Sequence, residues 1–95
     1  KDTRTLYGAE AKYLVALQWY NAGNYASAEK EILNFIDQST PHAYWLARSF
    51  ILLSDVYVAM DKKLDARQYL LSLQQNYQAD DDIASMINER LEKLK

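Results

Sequence analysis

With 11 Lys and Arg against 13 Asp and Glu, the 95-residue chain has a net charge of −2 and lacks the basic surplus of nucleic-acid readers. It has no cysteine, which excludes disulfides and thiolate sites. No signal-peptide pattern is read in these residues and no apolar run nears the ~20 residues of a membrane span, so direct membrane insertion is not expected. Only two glycines and one proline interrupt it, which points to long regular elements in one domain.

Residues 1–8, "KDTRTLYG", read as the end of a preceding unit, with Leu6 and Tyr7 set to cover the first helix. The chain starts at Lys1 without Met and is read as a piece excised from a longer protein. From Ala9 to Ala22, apolar residues at Ala11, Leu14, Val15, Trp19 and Ala22 recur every three or four positions, the period of a helix. Gly23 ends it, because glycine enters the left-handed C-cap conformation without steric cost. Asn24 then caps a second helix that buries Tyr25, Ala28, Ile32, Phe35 and Ile36. Thr40-Pro41 starts a third helix, with proline in the first turn where its missing N–H costs nothing. From His42 to Met60 that helix is apolar almost all round and needs neighbours on several sides. A break at Asp61-Lys62-Lys63 leads into a fourth helix carrying Leu64, Ala66, Leu70, Leu71 and Leu73. Asp80-Asp81-Asp82 opens a fifth, its charge favourable at the positive end of the macrodipole. Ile83, Met86, Ile87, Leu91 and Leu94 form its apolar stripe, and no segment reads as a strand.

A shift of 38 residues lays the first two helices on the third and fourth: Ala9 meets Ala47, Leu14 meets Leu52, Ala28 meets Ala66 and Leu33 meets Leu71. Val15/Leu53, Ala16/Ser54, Trp19/Tyr57, Ile32/Leu70 and Phe35/Leu73 keep size and character. Within each copy nine positions separate the large aromatic (Trp19, Tyr57) from the small residue of the next helix (Ala28, Ala66). This pattern resembles the tetratricopeptide repeat, W-x2-L-G-x2-Y…A-x3-F…P over about 34 residues. The first copy reads Lys12-x2-Val15-Ala16-x2-Trp19, then Ala28-x3-Ile32, then Phe35. The second reads Phe50-x2-Leu53-Ser54-x2-Tyr57, then Ala66-x3-Leu70, then Leu73. "GNYASA" matches the family's Gly-x-Tyr-x-x-Ala elbow, whereas its counterpart "DKKLDA" has neither Gly nor Tyr. The longer period is expected to lengthen the third helix by one turn. "YGAEAKYLVA" and "HAYWLARSFILLSDVY" are similar to bacterial cell-envelope members of the family, including Bacteroidetes repeat proteins.

The resemblance implies an all-α, right-handed superhelix of antiparallel helix pairs, with about five helices. Residues 1–8 form the leader, 9–40 and 41–78 the two repeats and 79–95 a capping helix. It also implies a periplasmic or cell-envelope setting and a concave groove lined by the first helix of each pair. Carried over by position, the groove takes Glu10, Tyr13, Leu17, Tyr20 and Asn21 from the first copy and Arg48, Ile51, Asp55 and Val58 from the second. Such a Tyr-rich groove suits a peptide or partner helix docked by apolar anchors. In the competing account Tyr13, Leu17 and Ile51 pack against a neighbouring repeat or the last helix. The carboxylate clamp of the family's chaperone-associated branch is not expected, since Tyr13, Leu17 and Asp55 fill most of its positions and Arg48 alone is basic.

No constellation for catalysis is present, and no cofactor is expected. His42 is the sole histidine, too few parts for a metal cluster or a nucleophilic triad. The Asp80–Asp82 run lacks the calcium-loop pattern and reads as a helix start. Glu29 and Glu31 are expected on a solvated face beside Lys30, and Trp19 and Tyr57 in the core. Tyr44, Trp45 or Tyr20 would serve the alternative function, carbohydrate binding in a glycan-uptake-type envelope protein, if exposed and coplanar. Repeat arrays need about three units, so further repeats are expected N-terminally. Alone, the piece is expected to hide its open face by self-association.

Overall fold

A computed structural model describes residues 6–37, 43–79 and 81–94. Its elements are α1 (Leu6–Asn21), α2 (Tyr25–Asp37), α3 (Ala43–Ala59), α4 (Lys63–Asn76) and α5 (Ile83–Lys93). The chain is all-α, and every helix expected from the periodicity is present. The Thr40-Pro41 start, His42 and Asp80 lie outside the described residues. Leu6 to Gly8, assigned above to a leader, are instead the first residues of α1; glycine costs a helix about 1 kcal/mol at most, too little to stop it there. The extra turn expected for the third helix is not apparent within the described residues, where α3 has 17 residues and α1 has 16.

The two elbows are built alike. Gly23 takes φ +81°, and a Cβ placed there would meet nothing within 4 Å, so the dihedral angle, not crowding, favours glycine. The Asn24 N–H donates to Trp19 O at 2.9 Å and the Gly23 N–H to Tyr20 O at 3.0 Å, which satisfies the last carbonyls of α1. Asn24 Oδ1 accepts from the Ser27 N–H at 3.3 Å, capping α2 as expected. In the second elbow Asp61 takes φ +63°. Lys62 N–H donates to Tyr57 O at 2.7 Å and Asp61 N–H to Val58 O at 3.1 Å. The backbone bonding matches the first elbow, 38 residues on, but Lys62 caps α4 with no side-chain hydrogen bond where Asn24 caps α2. Aspartate is among the few side chains that visit the left-handed region, so the turn survives without its glycine.

α3 packs against all four other helices, which accounts for its apolar circumference. α2 fits between α1 and α3, and α4 between α3 and α5. Thus α5 stands to the α3–α4 pair as α3 stands to the α1–α2 pair. One core gathers Tyr13, Ala16, Ala28, Ile32, Leu52, Leu53, Val56 and Tyr57. A second gathers Ala47, Ile51, Leu70, Leu73, Ile83 and Ile87. Buried Ala28 and Ala66, one in each second helix, let neighbouring helices approach closely. The result is a plate with extents of 37 × 32 × 18 Å.

α1 does not bury the stripe its spacing indicated. Leu14, Val15 and Trp19 are 45%, 41% and 40% exposed, while Ala9, Tyr13 and Ala16 are buried. Both sides of α1 are apolar, and only one has helices against it. Trp19 is therefore not a core residue, although its counterpart Tyr57 is. Glu29 and Glu31 are half-buried where a solvated face was expected, because α2 lies against both α1 and α3. Glu31 accepts from Lys12 Nζ at 3.3 Å, joining α1 to α2, and Glu29 is hydrogen-bonded by the Tyr57 hydroxyl.

Candidate functional site

Between α1, α3 and α5 runs a groove of about 760 Å³. Seven of the residues assigned to it from the sequence line it: Tyr13, Leu17, Tyr20, Arg48, Ile51, Asp55 and Val58. Glu10 and Asn21 are not among its lining. Tyr13 and Ile51, at 6% and 1% exposure, belong to the two cores and make the floor. Leu17 and Tyr20 form the α1 wall and are half-buried, while Val58 is exposed near the C-terminal end of α3.

The third wall comes from α5, through Met86, Arg90 and Lys93, with Leu94 beyond it. None of these was expected. The signal was available, since the 38-residue shift carries Arg48 onto Met86 and Asp55 onto Lys93. Treating α5 only as a cap concealed that it holds the place of another first helix.

Helix α5 is anchored at both ends of the groove. At its start Asp81 Oδ1 accepts from the Ile83 N–H at 3.0 Å, which satisfies the first N–H of the helix, and Asp81 Oδ2 accepts from the Tyr77 hydroxyl at 2.5 Å. That bond, followed by burial, raises the Tyr77 hydroxyl from its ordinary 10.0 to about 12. The Tyr44 hydroxyl donates to Asp82 at 2.9 Å and so ties α3 to the same turn. Further along, Arg90 grips Asp55 with two nitrogens, Nε to Oδ1 at 3.0 Å and Nη2 to Oδ2 at 3.1 Å. Planar, bidentate pairing of this kind is the strong form of a carboxylate contact. At the corresponding place between α1 and α3 the residues are Leu17 and Leu52.

Arg48 sits in an aromatic corner. It donates to the Tyr44 hydroxyl at 2.9 Å and to the Tyr13 hydroxyl at 3.2 Å, and its guanidinium lies 5.1 Å from the centre of the Tyr13 ring. Among the described residues its carboxylate contact is a long one, 3.9 Å to exposed Asp82. Among the described residues, Arg48 Nε is a buried side-chain nitrogen with no hydrogen-bond partner. Burial works against the Arg48 charge, but the two tyrosine bonds outweigh it and the group stays cationic. The Tyr20 hydroxyl is pushed up by burial first and then by the charge of Asp55.

The lining carries Arg48, Lys63, Arg90 and Lys93 against the single carboxylate of Asp55, itself bound to Arg90. In a chain of net charge −2 the groove is therefore a local basic surface. The rings considered for sugar stacking are not coplanar: Tyr44 and Trp45 meet at 82°, and Tyr20 is tilted 54° from Tyr25. Among the described residues no cluster of His, Asp and Glu has the makings of a metal site, and no helix is long and apolar enough to cross a membrane. No family model matches the chain, and no curated protein or solved structure matches it.

Proposed function

We propose that this chain is a non-catalytic interaction module of the tetratricopeptide-repeat type. Its groove between α1, α3 and α5 holds a peptide or a partner helix that combines apolar anchors with acidic side chains. The carrying observation is the pairing of an apolar and aromatic wall (Leu17, Tyr20, Val58, Met86) with four cations and one already occupied carboxylate. Amphipathic helices dock in such grooves through anchors one turn apart. An acidic residue beside Arg48 would meet a cation whose hydrogen bonds otherwise go to neutral tyrosine hydroxyls. On the family resemblance, the setting is a scaffold in a bacterial envelope protein. A carbohydrate site would require coplanar exposed rings, and the 82° angle between Tyr44 and Trp45 favours a protein ligand instead.

Selection of a displayed random-peptide library on the protein tests this. The expected winners carry Leu, Phe or Trp at helical spacing with Asp or Glu between them. They bind less tightly as salt rises, and Val58→Asp or Arg48→Ala weakens them by about tenfold, the size of one well-placed contact. Recovery of the same peptides on a Val58→Asp, Tyr20→Ser variant would exclude the groove.

A further inference from the structure

The charges lining the groove are not spread evenly along it. Tyr13 meets Arg48 and Tyr20 feels the charge of Asp55, while Tyr44 meets Asp82 and Asp55 meets Arg90. Residue numbers thus rise together on the three helices, so α1, α3 and α5 run in the same direction. Arg48 stands toward their N-terminal ends. Lys63 and Lys93 stand toward the other end, Lys93 one turn past Arg90 as Val58 is one turn past Asp55. From residue 48 to residue 58 the axis of α3 advances about 15 Å. Among the described residues Lys63 and Lys93 have no ion pair, and Arg48 has only the long one to Asp82.

Between these ends stands Asp55, which binds Arg90 through Nε and Nη2 and neutralises it. Joining two helices does not by itself call for this pair, since Leu17 and Leu52 serve the earlier junction. We infer that Asp55 sets where along the groove a ligand's acidic residues can lie, an inference that rests on the helix-in-groove reading above. The favoured helix carries two acidic residues about three turns apart, with uncharged residues between them. One lies at Arg48 and the other at Lys63 and Lys93. An acidic residue in the middle meets the Asp55 carboxylate and finds Arg90 already bound, so it is rejected by like charge.

Fluorescence anisotropy with two labelled peptides of the same composition tests this. Both are alanine-rich helices with four larger residues on one face, spaced four, three and four apart. Along that face one reads Glu, Phe, Leu, Glu and the other Phe, Glu, Glu, Leu. The first is expected to bind about tenfold more tightly. Asp55→Asn removes the like charge and frees Arg90, and should bring the two within about twofold by strengthening the second. Lys63→Gln with Lys93→Gln leaves the Asp55–Arg90 pair in place and should narrow the gap by weakening the first. Equal binding of both peptides by the unaltered protein overturns the inference and leaves the groove reading standing. So does a preference that survives Asp55→Asn with an unchanged circular dichroism spectrum. An undiminished preference in the lysine variant overturns it too, whether or not Asp55→Asn folds. Binding of neither peptide, together with a library selection that yields no groove ligand, withdraws the groove reading and this inference with it.

Discussion

At Asp61 an aspartate holds the backbone conformation that a glycine holds at the equivalent Gly23, and the two should respond in opposite ways to substitution. Left-handed geometry costs an L-residue about 1–2 kcal/mol, somewhat less for Asp. Asp61→Gly is therefore expected to stabilise the fold by about 0.5–1 kcal/mol, and Gly23→Ala to destabilise it by about 1–2 kcal/mol, both measured by urea unfolding. The tyrosines set the alkaline limit. The Tyr57 hydroxyl is raised from 10.0 by burial first and then by Glu29, and Tyr77 is raised to about 12 by Asp81. Below pH 10 both hydroxyls are protonated whether the chain is folded or unfolded, so stability does not depend on them. Above it the unfolded chain loses these protons first, and stability falls with pH. Unfolding midpoints between pH 8 and 12 should decline beyond pH 10, and Tyr57→Phe with Tyr77→Phe should flatten that decline. A decline of equal slope in the double variant would show that other groups govern it.

At the scale of elements, the junction between α3 and α5 is fastened differently from the one between α1 and α3. Asp55 and Arg90 stand where the earlier junction has Leu17 and Leu52. Both charged side chains are about a quarter exposed, so their coupling should be about 1 kcal/mol in a double-mutant cycle. Asp55→Leu or Arg90→Leu alone should destabilise, and the two together should recover most of the loss, since an aliphatic pair serves the equivalent position. A double variant no more stable than the worse single one would mean that the charges do more than join two helices. The five helices and the first elbow were legible in the sequence because period, Gly23 and Asn24 are local signals, whereas the start of α1 at Leu6 was not, since Gly8 read as a break. The buried side of α1 was not: Ala9, Tyr13 and Ala16 form one apolar stripe and Leu14, Val15 and Trp19 another, and only tertiary packing chooses between them. Most of the groove was legible through the repeat. The α5 wall was missed because its polar outer side suggested a terminus and hid its equivalence to α3.

For the molecule as a whole, helix–helix contacts among the described residues run between adjacent units, as in repeat architectures whose stability is a sum of local and nearest-neighbour terms. α3 is the one helix that touches every other. Its central amides should therefore exchange with solvent only through global unfolding, while those of α5, held by α3 and α4 alone, should exchange through a lower-energy local opening. Native-state hydrogen exchange in low denaturant checks this ordering, and equal protection of α3 and α5 would mark a single cooperative block.

One helix closes both surfaces of this plate. Tyr13, Leu17 and Tyr20 of α1 face the groove, while Leu14, Val15 and Trp19 of the same 16 residues face outward. α1 is thus a party wall between two rooms: a neighbour leaning on its outer side would set the width of the groove on its inner side. The groove's inner wall is therefore only as fixed as the hold of α2 and α3 on α1, the two helices packed against it.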